Sequence, residues 1–111
     1  MKENYPLFVK WTTVLDWILD RSEKLPKSIR FSLTSRIANY SLDIIEGIIG
    51  AIYSKEKARE LDSINLDIEK LRVLFRICYR RKYISNTQYE YISRELEETG
   101  KMVGGWKKSL K

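Results

Sequence analysis

Apolar residues recur along this chain in alternating steps of three and four, the spacing of helices with one buried face. The first series is Phe8, Trp11, Leu15, Ile18, Ser22 and Leu25, opened by Pro6, whose fixed φ suits a first helical turn. The last is Tyr89, Ile92, Leu96, Thr99, Val103, Trp106 and Leu110. Ser85 and Gln88 stand before it in capping-box spacing, with Ile84 and Tyr89 placed for a hydrophobic staple. Between these series the pattern predicts a helix from about residue 28 to 53 and another from about 58 to 82. The connections "KLPK", "SKEKA" and "YIS" are short, so successive helices must run antiparallel. The expected fold is all-α: an up-down-up-down antiparallel four-helix bundle, one domain over residues 1–111. Two prolines, five glycines and no Asn-Gly or Asp-Gly step leave strands little support.

The two middle helices carry more apolar surface than one bundle core requires. In the third, Leu61, Ile64, Ile68, Leu71, Phe75 and Cys78 make one stripe. At about 100° per residue, Leu66, Val73 and Ile77 fall nearly opposite it. The second spreads Leu33, Ile37, Tyr40, Ile44, Ile45, Ile48, Ile49 and Ile52 over about half its circumference. A helix apolar on two sides has protein on both sides. The expected second cover is another copy of the chain, a homo-oligomer with Leu66, Val73 and Ile77 at its interface. Scattered surface aliphatics are the simpler alternative.

Composition removes several chemistries. The chain contains no histidine. Ser-His and Cys-His nucleophilic pairs, histidine acid–base catalysis and Cys/His zinc sites are thereby excluded. The Glu-x-x-His motif by which bundles hold two metals is excluded too. Glu46 falls beside Asn39 and Asp43 on the polar side of its helix and reads as a solvated carboxylate. No phosphate-binding loop or dinucleotide fingerprint is present. Gly100, Gly104 and Gly105 lie inside a helical pattern, where they are expected to permit close helix contact. The lone Cys78 sits at a core position, an inert small hydrophobe, and forms no intrachain disulfide. No catalytic residues, metal or cofactor are expected. "MKENYPLF" has no apolar leader and "IIEGIIGAIY" is short and broken by Glu46, which predicts a cytoplasmic protein without a membrane partner.

Charge changes the picture most in "LRVLFRICYRRKYIS", residues 71–85, which sets four arginines and a lysine among core positions. From Lys70 through Tyr89 there are six cations and no acid, a surplus equal to the net +6 of the whole chain. Arg72, Arg76 and Arg80 are four apart and align on one flank of the third helix. In an up-down bundle, Lys24, Lys27, Arg30, Arg80, Arg81 and Lys82 gather at one end. Tyr79 and Tyr83 are interleaved with them and can offer ring faces or phenolic donors. Lys101, Lys107, Lys108 and Lys111 form a second basic group. Helix C-termini favour cations by about 0.3–1 kcal/mol each without any ligand, and Arg72 has Glu69 within reach. A solvated basic face and a polyanion site thus both remain open on charge alone.

Further stretches carry a resemblance. "LRVLFR" (71–76), the "YIS" turn before "TQYEYISRE", and "GKMVGGWKKS" (100–109) resemble the accessory variability (Avd) proteins of diversity-generating retroelements. More broadly the chain is similar to the bacterial four-helix-bundle proteins encoded in intervening sequences of ribosomal RNA genes. The similarity runs from about Tyr5 to Ser109. It implies a homopentameric ring that associates with the element's reverse transcriptase and with template RNA or cDNA, in support of mutagenic cDNA synthesis and retrohoming. In that family an arginine pair four apart follows a leucine on the third helix, and Arg72 and Arg76 match it. The competing class is a structural or interaction bundle of the intervening-sequence type with no nucleic-acid role.

Overall fold

Pro6 opens α1 (Pro6–Ser22) in its first turn, as its ring geometry favours. A computed structural model describes residues 5–110. It continues with α2 (Ser35–Tyr53), α3 (Lys57–Arg80) and α4 (Asn86–Lys108). The described residues contain no strand. The expected capping box opens α4: the Gln88 amide donates to Ser85 Oγ at 3.1 Å and the Ser85 amide to Gln88 Oε1 at 2.8 Å.

Cross-links between neighbouring helices fix their directions. Lys10, near the start of α1, reaches Glu95 and Glu98 midway along α4, and Trp17 packs its ring 5.0 Å from that of Tyr91, nearer the start of α4. Lys70 lies over the Tyr40 ring at 5.0 Å, while a Cβ on Gly50 would meet Glu60 at 2.9 Å. Tyr79 stacks on Tyr89 and Lys107 pairs with Asp62. Within each pair of neighbouring helices, contacts that lie further along one lie further back along the other, so the bundle runs up, down, up, down.

The core is assembled from the expected stripes. Trp11 and Ile18 of α1, Ile37, Ile44 and Ile48 of α2, and Ile92 and Leu96 of α4 are buried. All six residues of the principal α3 stripe are buried with them. On α1, Leu7 and Val14 are buried where Phe8 and Leu15 are only half-covered, a rotation of the face by part of a turn. The indole of Trp11 donates to the Ser41 carbonyl at 3.0 Å, and Ser41 Oγ donates to the Ile37 carbonyl at 2.7 Å. These polar groups are buried and paired, as stability requires. Cys78 is buried as expected, and burial pushes its thiol pKa up to about 11.

The glycine expectation needs correction. Cβ atoms at Gly104 and Gly105 would meet nothing within 4 Å, and one at Gly100 only the Arg72 guanidinium at 3.8 Å. Close approach occurs instead at Gly47, where a Cβ would lie 2.9 Å from Ile64 Cγ1. The second helix also starts less regularly than expected. A 3₁₀ turn (Lys27–Ile29) and a π turn (Arg30–Thr34) precede α2. No helix among the described residues is long and apolar enough to cross a membrane.

Candidate functional site

Residues 23–34, between α1 and α2, share one end of the bundle with residues 81–85, between α3 and α4. This end collects Lys24, Lys27, Arg30, Arg80, Arg81 and Lys82, all exposed. None of the six forms an ion pair among the described residues. The α3–α4 connection is a Schellman turn: the Tyr83 amide donates to the Cys78 carbonyl at 2.8 Å and the Lys82 amide to the Tyr79 carbonyl at 3.0 Å. The turn requires a left-handed residue, and Lys82 supplies it with φ of 64° where glycine would be unstrained. It thereby brings Lys82 beside Arg80, Tyr79 and Asn86 around a shallow hollow. A second hollow at this end is lined by Lys27, Arg30, Thr34 and Glu23.

The two tyrosines are already engaged. Tyr79 stacks on Tyr89 with centroids 4.5 Å apart and planes 8° off parallel, and its hydroxyl donates to Asn86 at 2.9 Å. Arg81 donates from Nε to Tyr83 Oη at 2.8 Å and lies over that ring at 5.5 Å. This hydrogen bond first, and then the phenol's charge, raise the Arg81 pKa, so Arg81 remains cationic throughout the working range. The ring left open is Phe31, 90 % exposed in the π turn. Its apolar identity excludes it from a search for charge, and it lies off the core period, so sequence patterning passes over it.

Arg72 and Arg76 lie lower on α3 and differ from each other. Arg72 is half-buried, with Nε 3.2 Å from Glu69 Oε2, close enough for an ion pair but not aligned as a hydrogen bond. Arg76 is exposed and makes no ion pair among the described residues. Leu66 and Val73, 57 % and 49 % exposed, face away from the core with half-buried Ile77. The single chain thus leaves this second stripe uncovered. In the second basic group Lys101 pairs with Glu97 and Lys107 with Asp62, while Lys111 lies outside the described residues.

Comparison with known proteins agrees with this architecture. A crystal structure of an S23 ribosomal protein family member of unknown function, from Bacteroides thetaiotaomicron, superposes with a TM-score of 0.86 at 20% sequence identity. The match covers 97% of this chain and 99% of that one. At that identity it speaks for the fold alone. No curated protein matches. The bAvd-like family profile matches residues 7–110, nearly the full length of the bundle, and the chain belongs to the bAvd-like family.

Proposed function

We propose that this protein is a non-enzymatic accessory subunit of a diversity-generating retroelement, binding nucleic acid at its basic end and associating with the element's reverse transcriptase. The observation that carries nucleic-acid binding is the cluster of six cations at one end with no ion-pair partner among the described residues. Helix-dipole capping accounts for one or two charges at the end of α3. It favours Lys24 just beyond the end of α1 as well, but it does not account for Lys27 and Arg30, which open the next helix, at the end where the dipole disfavours cations. Like charges in such excess and without ion-pair partners repel one another, and a polyanion relieves that repulsion while releasing its own counterions. The family supports the reverse transcriptase as protein partner.

Assembly adds to this. Leu66, Val73 and Ile77 form an apolar stripe that a second copy of the chain would cover, and a ring would repeat the cations around its perimeter. Arg72 and Arg76 stand beside that stripe on α3, near the boundary between copies. Arg76 offers an unpaired guanidinium fork to a phosphate or carboxylate on the enzyme or its RNA.

The test uses the full chain with the reverse transcriptase of the proposed retroelement. Arg72→Ala with Arg76→Ala should leave helicity and assembly size intact, weaken co-purification with the enzyme and abolish retrohoming. A double variant that falls apart while its subunits still bind the enzyme assigns the arginines to structure. Absence of RNA and DNA binding by the unmodified protein at low salt rejects the nucleic-acid role in favour of a structural bundle.

A further inference from the structure

We propose that the basic end is a site for unpaired nucleotides, with Phe31 as the platform on which a base stacks and the surrounding cations as holders of the flanking phosphates. The proposal rests on the nucleic-acid reading above and deepens it by naming the strandedness of the ligand and the residue that senses it. Phe31 is 90 % exposed, far more than any other large apolar side chain described. It makes no ring or cation contact among the described residues, in contrast to Tyr79, Tyr83, Tyr89 and Tyr91.

Its exposure has a local cause. Phe31 lies in the π turn Arg30–Thr34, at the irregular entry to α2. Ile29 and Leu33, four apart, share one face and pack against the core, and Phe31, two residues from each, is turned to the opposite side. The sequence neighbours of Phe31 are Arg30 and Ser32, with Lys27 one turn earlier. The pairing of α2 with α3 brings in the other cations. Tyr40 meets Lys70, Gly47 meets Ile64 and Gly50 meets Glu60. Continued upward, that antiparallel register puts Phe31 at the level of Tyr79 and Arg80. An apolar ring face and at least four unpaired cations therefore occupy one end of the molecule.

A single-stranded nucleic acid fits this combination. Its phosphates meet the cations, and its bases are free to lay a π-face on a ring. A duplex offers phosphates but keeps its base faces inside the stack. A symmetric contact between two copies through Phe31 would set Lys27 and Arg30 against their own counterparts, which like-charge repulsion disfavours.

The experiment measures binding of the full chain to an unstructured single-stranded RNA and to an RNA duplex of equal length, with assembly size followed by light scattering. Phe31→Ala and Phe31→Leu should each weaken single-strand binding about tenfold and leave duplex binding unchanged, while Phe31→Trp retains it. Because Phe31 packs against nothing in the core, these variants should fold and assemble as the parent does. Unchanged single-strand affinity in Phe31→Ala, or equal loss on both ligands, overturns the proposal. So does a variant whose assembly or protein partner is lost while RNA affinity persists, which would make Phe31 a protein contact. A parent protein that binds neither RNA fails at the proposed function itself, whereas a parent that binds both equally fails only here.

Discussion

The two ends of the bundle use positive charge in different ways. At the end formed by the α2–α3 connection and the last turns of α4, several cations have partners of their own. Lys57 donates to the carbonyls of Ala51 and Ile52 at 2.8 and 2.9 Å, closing the C-terminus of α2. Lys107 pairs with Asp62, and Arg59 lies 3.9 Å from Glu56. At the opposite end Lys24, Lys27, Arg30, Arg80 and Lys82 have no ion pair among the described residues, and Arg81 is turned onto Tyr83. The paired end is also the tightly built one, with α2 and α3 in near contact at Gly47 and Gly50. The unpaired end carries 3₁₀ and π turns, a lysine in a left-handed turn and an exposed phenylalanine. Counting cations does not separate the two ends. What separates them is whether the fold supplies a counter-charge.

The largest expected effect tests that distinction directly. Changing Arg80, Arg81 and Lys82 together to glutamine should lower RNA affinity on the order of a hundredfold at moderate salt. The slope of log affinity against log salt should fall by about 2–3, at roughly 0.7–0.9 for each phosphate no longer neutralised. The matching triple change of Arg59, Lys101 and Lys107, each of which has an acid partner, should have a much smaller effect. Fluorescence anisotropy across a salt series reads both triples, and equal losses would make the charge asymmetry irrelevant to binding.

Next in size is the tight end. Gly47→Val places a branched side chain against Ile64 and should destabilise the fold by about 2 kcal/mol in urea titrations. Gly104→Ala, with nothing within 4 Å of its Cβ position, should instead stabilise by about 0.5–1 kcal/mol. The same sign for both would mean that the close α2–α3 approach is not what holds this end.

A smaller loss is expected from Lys10→Ala, which removes bonds of 2.7 Å to both Glu95 and Glu98 and leaves the half-buried Glu95 carboxylate only Arg94, 3.8 Å away. Part-exposure of the cluster limits the loss to about 1 kcal/mol. The hydrogen bond from Lys10, more than its charge alone, holds the Glu98 carboxyl below its ordinary 4.5. That contribution is present above pH 4.5 and disappears as pH falls through the lower folded value. The Lys10 pKa is raised chiefly by its bond to Glu95. Its contribution therefore holds below 10.5 and fades only as pH rises through the higher folded value. The parent and variant should differ across neutral pH and converge in acid.

The smallest effect returns to the basic end. Lys82→Gly should raise thermal stability by about 0.5–1 kcal/mol, because glycine adopts the left-handed Schellman position without strain. It should also lower RNA affinity slightly through loss of one charge. A gain in stability together with a loss in binding would identify Lys82 as a position where function outweighs the favoured turn residue.

Helices, their order and most of their buried faces were decided by sequence alone. An amphipathic period depends only on spacing, and short connections permit only antiparallel neighbours. The Ser85–Gln88 cap was equally local, since both partners lie within one turn. The gathering of Lys24, Lys27 and Arg30 with Arg80, Arg81 and Lys82 followed from topology once the four helices were known. Three things required the tertiary structure. Whether a cation is paired depends on the side chain across the groove, as with Lys107 and Asp62, 45 residues apart. Which glycines permit close approach depends on how the helices are rotated, so Gly47 serves where the helical pattern points to Gly100, Gly104 and Gly105. That Phe31 faces outward follows from its place between Ile29 and Leu33, but that no side chain of another helix covers it depends on how the four helices are arranged around it.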